Sequence, residues 1–195
     1  LGCVLLPHTS TAVAANGDSD RDPTVPTPEI AYRPGLRETR SILPLRGAGM
    51  QVQRVDWIDK YMHSVDEIAD LGCDTVMFEV DARMENGTSS KIYLDMRMTP
   101  TPDQLGELID RAKADKLRVI LMPIVLLDNP RGDEWRGTIK PESWDTWWDS
   151  YRDMITEFSW IAEGHHADVL VIGSELVSTE SNLDQWTRTI NKVRG

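Results

Sequence analysis

The stretch Asp168–Glu180, DVLVIGSELVSTE, is where the chain comes to a point. Val169–Ile172 is a short apolar, β-branched run, long enough for a buried strand and too short for a helix. Gly173 and Ser174 break the run, and Glu175 sits at its end. A carboxylate at the C-terminal end of a buried parallel strand lies where barrels and open α/β sheets gather their chemistry. A solvated loop residue or the first-turn acid of the next helix would look the same in isolation. The surrounding chain decides between these readings.

Working upstream, Trp144, Trp147/Trp148, Tyr151, Met154/Ile155, Phe158 and Ile161/Ala162 recur at the spacing of one helical face. This aromatic stripe reads as core, and His165 and His166 at its end suit the helix dipole better than a metal. The loop Asp128–Pro141 before it is long and charged, and carries Trp135-Arg136-Gly137. Connections of that length are uncommon and favour a functional loop, with Trp135 as a lid on the core edge the lesser alternative. Leu117–Leu127 is the most apolar run and predicts a central strand, with Pro123 expected to end its regular ladder.

Further back, Thr101-Pro102-Asp103-Gln104 reads as a capping box with Pro at the first helical position. Leu105, Leu108/Ile109 and Ala112 mark that helix's buried face. An insertion over residues 86–99 precedes it. Thr75–Val80 predicts a strand, and Glu79, Asp81 and Arg83 read as its solvated terminus. Ile58, Tyr61/Met62, Val65 and Ile68/Ala69 predict a helix over Trp57–Leu71 capped by Gly72, and Arg46–Val55 could supply the first strand. Downstream, Trp186 and Ile190 share a face of a last helix near Leu183–Val193. Strand and helix alternate four times, which predicts an α/β fold with a parallel sheet and helices outside it. A complete (β/α)8 TIM barrel takes about 250 residues. The 195 residues here leave room for about the first four β/α units, the N-terminal half of such a barrel over residues 42–195.

Composition narrows the function classes. A net charge of −11 argues against nucleic acid or an anionic membrane as partner, because phosphate contacts need clustered Lys and Arg. Seven Trp against two Phe hints at stacking on sugar rings as well as at core filling. No metal-ligand spacing and no cofactor motif stands out, and the Gly-x-Gly near Gly47 is too sparse for a phosphate loop. Cys73 reads as a small core hydrophobe. Leu1–Leu6 resembles the apolar part of a signal peptide, with Ala12-Val13-Ala14 as its cleavage pattern and Ala15 as the mature start. Residues 1–14 are thus expected to be a signal remnant and residues 15–41 a flexible lead-in rich in Asp, Pro, Thr and Arg. Export to the periplasm or the medium is expected, with a lipid anchor at Cys3 the weaker alternative.

Three stretches together resemble the clan A glycoside hydrolases, and most closely family 113, the β-mannanase-like (β/α)8 barrels. They are Glu134-Trp135-Arg136-Gly137, Trp148-Asp149-Ser150-Tyr151-Arg152 and Ile172-Gly173-Ser174-Glu175-Leu176, within a likeness running from about Gly47 to the end. The resemblance implies a retaining hydrolase of β-1,4-mannan or a related plant polysaccharide, with Glu175 as general acid/base. It also implies that Trp135 and Arg136 line the sugar cleft. Clan A enzymes often place Asn before the acid/base for the sugar 2-hydroxyl; Ser174, a shorter hydroxyl group, stands there. The family's nucleophile, on strand seven, has no counterpart among the four units, and Glu79 or Glu180 would be substitutes on the wrong strands. The rival reading is a non-catalytic carbohydrate-binding protein, or a half barrel that self-associates through exposed edges.

Overall fold

A computed structural model describes residues 45–194; the expected signal remnant with Cys3 and the whole expected lead-in, 15–41, lie outside them. The described chain runs β1 (Gly47–Val52), α1 (Ile58–Asp70), β2 (Thr75–Met84), α2 (Pro102–Ala114), β3 (Arg118–Leu127), α3 (Trp144–Gly164), β4 (Val169–Leu170) and α4 (Leu183–Arg194). Short 3-10 turns occupy Val55–Trp57, Arg136–Thr138 and Val177–Thr179. The four strands are parallel and lie in chain order, β1-β2-β3-β4, as successive β/α units must when each helix returns the chain across the sheet. The fold is α/β, and its strand-helix alternation is that of the first four units of a TIM barrel.

Period-two alternation divides β2 cleanly. Val76, Phe78, Val80, Ala82 and Met84 are buried in the helix-side core, while Met77, Glu79, Asp81 and Arg83 take the other face, the inner one of a barrel. The helices dock by the stripes the sequence shows. Trp147, Trp148, Tyr151, Ile155 and Phe158 of α3 are almost wholly buried, and truncating either tryptophan would cost about 3–5 kcal/mol. Trp148 meets Trp186 of α4 edge-on with ring centroids 5.2 Å apart. Of the seven tryptophans, Trp147 and Trp148 are thus core, Trp144 and Trp186 pack half-buried against it, and Trp57, Trp135 and Trp160 are exposed. Helix ends follow their expected chemistry. Thr101 and Gln104 form the reciprocal capping box. After α1, Gly72 adopts φ +79°, and the amides of Gly72 and Cys73 donate back to Ala69 and Ile68.

Three expectations need correction. β2 runs four residues beyond Val80, because it pairs with β3 up to Met84↔Leu127. Pro123 does not end the β3 ladder; it pairs with Val80 in mid-strand. The carbonyls of Val119 and Leu121 point to the β4 side, so by period two the missing N–H of Pro123 faces that side as well. β4 has already stopped pairing at Leu121↔Leu170, so no partner is lost. β4 is itself shorter than the apolar run Val169–Ile172, ending as a regular strand at Leu170. Beyond it the backbone is held by side chains.

Candidate active site

The C-terminal ends of the strands share one edge, and the polar residues gather there. Past β4, the Tyr151 hydroxyl donates to the Ile172 carbonyl at 2.6 Å, and burial pushes its phenol pKa up. Gly173 follows because a Cβ there would sit 2.8 Å from the Trp186 ring. Trp186 Nε1 donates to the Thr179 carbonyl at 3.1 Å, and the Thr179 hydroxyl donates to the Leu176 carbonyl at 2.7 Å. Leu176 is buried against the core. Between these anchors Glu175 takes φ +56°, a left-handed conformation uncommon for a residue with a Cβ, and its side chain is 47% exposed. Exposure departs from the apolar enclosure expected of a general acid.

The loop after β3 reaches the same place. Glu134 accepts from the backbone amides of Gly87 and Arg131 at 3.0 and 2.9 Å and pairs with the Arg131 guanidinium. These backbone amides, then Arg131, hold its carboxyl down at about 2. Gly87 permits the approach, since a Cβ there would lie 2.9 Å from the Glu134 carboxyl carbon. Trp135 is 44% exposed and lays its ring against Gly137, at the surface of the loop rather than among the buried side chains. Arg136 turns its guanidinium onto the Glu175 carboxylate as an ion pair. Of the residues singled out, Arg136 and Glu175 are thus brought together. Ser174, half-buried, precedes Glu175, and Trp135 stands on the loop beside Arg136.

A second cluster lies at the ends of β1, β2 and β3, and it overturns the solvated reading of Asp81 and Arg83. Asp81 is fully buried, accepting from Gln53 at 3.0 Å and Arg83 at 2.5 Å. Desolvation moves its carboxyl pKa upward, against the pull of Arg83 and Gln53. Arg83 also bonds Asp128 at 3.0 Å, and the Tyr93 hydroxyl donates to the other Asp128 oxygen. That hydrogen bond, with some burial, pushes Tyr93 up to about 12. The backbones of Arg83 and Tyr93 also pair, tying the 86–99 insertion over the strand ends. Alternation along β2 was the one signal for this inward-facing pair. Glu79 is half-buried on the same face and accepts from Gln51 at 3.4 Å. Among the described residues no His, Cys, Asp and Glu group could hold a metal ion, and no helix is long and apolar enough to cross a membrane.

Comparison with known proteins places this geometry. The model of Glycoside Hydrolase Family 113 matches residues 48–195. A β-1,4-mannanase of that family, solved as a complex, is 25% identical with a TM-score of 0.70; the match covers 77% of this chain and 52% of that one. The family's β-mannanase AaManA from Alicyclobacillus acidocaldarius, in complex with ManMIm, is 26% identical with the same TM-score, over 77% of this chain and 50% of that one. The chain thus spans about half the length of the solved structures it matches. No curated protein matches it.

Proposed function

The chain belongs to glycoside hydrolase family 113, and on that premise we propose that it forms the acid/base half of a retaining hydrolase of β-1,4-mannan or a related plant polysaccharide. Glu175 is the general acid/base. The observation that carries this is its setting: a strand-end carboxylate, held in a left-handed backbone at the edge where barrel chemistry gathers. Retaining hydrolysis requires a second carboxylate about 5–5.5 Å away to attack the anomeric carbon. In this reading that nucleophile comes from the other half of the barrel, since Asp81 and Asp128 are held by Arg83, and Glu79, on β2, accepts from Gln51 of β1.

Glu175 protonates the leaving glycosidic oxygen while the nucleophile takes the anomeric carbon. It then accepts a proton from the water that releases the sugar. Trp135 offers an exposed indole for a pyranose ring, and Ser174 offers a hydroxyl beside the acid/base. Action outside the cytoplasm, in the periplasm or medium, fits a polymeric substrate. The test is Glu175→Gln in the full-length protein. Hydrolysis of unactivated mannan should fall by about 10²–10⁴-fold, the usual contribution of general acid–base catalysis, with thermal stability unchanged. Near-normal activity would end the assignment. The edges of β1 and β4, unpaired among the described residues, favour one other reading, a self-associating carbohydrate-binding half barrel, which predicts mannan binding without hydrolysis in any length of chain.

A further inference from the structure

We propose that Arg136 is a positioning residue for Glu175 and not a ligand of the sugar; this rests on the acid/base reading of Glu175. The guanidinium's one ion-pair partner among the described residues is the Glu175 carboxylate. The arm that delivers it is fixed by the fold. Glu134 is committed to Gly87 and Arg131, and Arg131 also bonds Asn86 and Thr88, so neither competes for Arg136 or Glu175. Just after it, Gly137 is covered by the Trp135 ring, and the Thr138 hydroxyl closes the turn on Trp135. The Arg136 side chain is 24% exposed, and its Nε is buried without a partner. A guanidinium that gives up solvent around Nε is placed by the loop. The half-exposed carboxylate is the member with freedom to lose.

The chemistry gives that restraint a use. In the first step the glycosidic C–O bond breaks, a bond forms from the nucleophile to the anomeric carbon, and the Glu175 proton passes to the leaving oxygen. Glu175 is then a carboxylate facing the Arg136 cation, which restrains its aim for the step that follows. In the second step water gives Glu175 its proton, the water oxygen bonds the anomeric carbon, and the bond to the nucleophile breaks. A small error in the aim of an acid/base group slows both steps, whereas a substrate whose leaving group needs no proton escapes the first penalty.

The experiment compares the full-length protein with Arg136→Met, Arg136→Lys and Glu175→Gln on mannan oligosaccharides and on a dinitrophenyl β-mannoside. Arg136→Met should lower kcat/KM on the oligosaccharides by about tenfold or more, a fraction of the full acid–base contribution. On the dinitrophenyl substrate kcat/KM should hold within about threefold while kcat falls, since water activation still needs Glu175. Arg136→Lys should restore part of the loss. An equal fall in kcat/KM on both substrates, carried by a raised KM, would overturn the proposal and make Arg136 a sugar ligand. Unchanged oligosaccharide activity would overturn it as well. If Arg136→Met does not fold, the substrate contrast in Arg136→Lys decides by the same criterion. Failure of the underlying reading is separate: Glu175→Gln would then keep its oligosaccharide activity.

Discussion

A methyl group at position 137 has no room, because its Cβ would lie 2.3 Å from the Trp135 ring. The ring is 44% exposed, so it can swing away at little cost to the core. Gly137→Ala and Trp135→Ala should therefore weaken mannan oligosaccharide binding in calorimetry by about 1–3 kcal/mol, the worth of a stacked ring. The melting temperature of Trp135→Ala should stay within a few degrees, as for most exposed substitutions. A large fall in melting temperature with binding intact would return Trp135 to the role of lid. At this scale the sequence is half legible. Glu175 stands out because an apolar strand-length run ends on Gly-Ser-Glu. Its left-handed backbone and its pairing with Arg136, 39 residues upstream, are set by how two loops pack, and no local pattern records that. Asp81 and Arg83 misled for the opposite reason. Charges at a strand end resemble solvated charges until the inward face of the strand is known.

At the scale of elements, one carboxylate joins two loops. Glu134 fastens the loop after β3 to the insertion after β2 through the Gly87 amide. Its folded pKa, at about 2, lies below the ordinary 4.5, so the staple contributes fully above pH 4.5 and is lost as pH falls through about 2. The Gly87 amide proton should accordingly titrate by NMR with a midpoint near pH 2 and lose that titration in Glu134→Gln. A Gly87 shift that ignores acid in the wild type would remove the staple. Asp81 opposes this trend, since a carboxyl raised by burial favours the fold as pH falls, so the amide at Gly87 reports more clearly than global stability. The helices were legible because caps and apolar faces are local. Thr101-Pro102-Asp103-Gln104 alone foretells the start of α2. The loops were not, since Gly87 and Glu134 lie 47 residues apart. Pro123 shows the limit of a local rule: its tolerance depends on where the neighbouring strand stops.

For the whole molecule, four alternating strand and helix patterns were enough to foresee a parallel sheet, because each buried strand and each one-sided helix must cover the other. What closes that sheet is a matter of edges. Among the described residues β1 and β4 each carry an unpaired side, and the inner face presents Met77, Ile120 and Met122 half-buried among Gln51, Glu79 and Asp81. If the chain folds as half a barrel, those edges and that face lack partners, the condition under which chains pair with copies of themselves. The 195-residue chain should therefore sediment as a dimer or larger at micromolar concentration, and should not hydrolyse β-1,4-mannan. A protein that also holds the other four β/α units should sediment as a monomer and be active, because closing the barrel covers both edges and sets a second carboxylate opposite Glu175. Hydrolysis by the 195 residues alone, abolished in Glu79→Gln or Glu180→Gln, would place that second carboxylate within the half barrel instead.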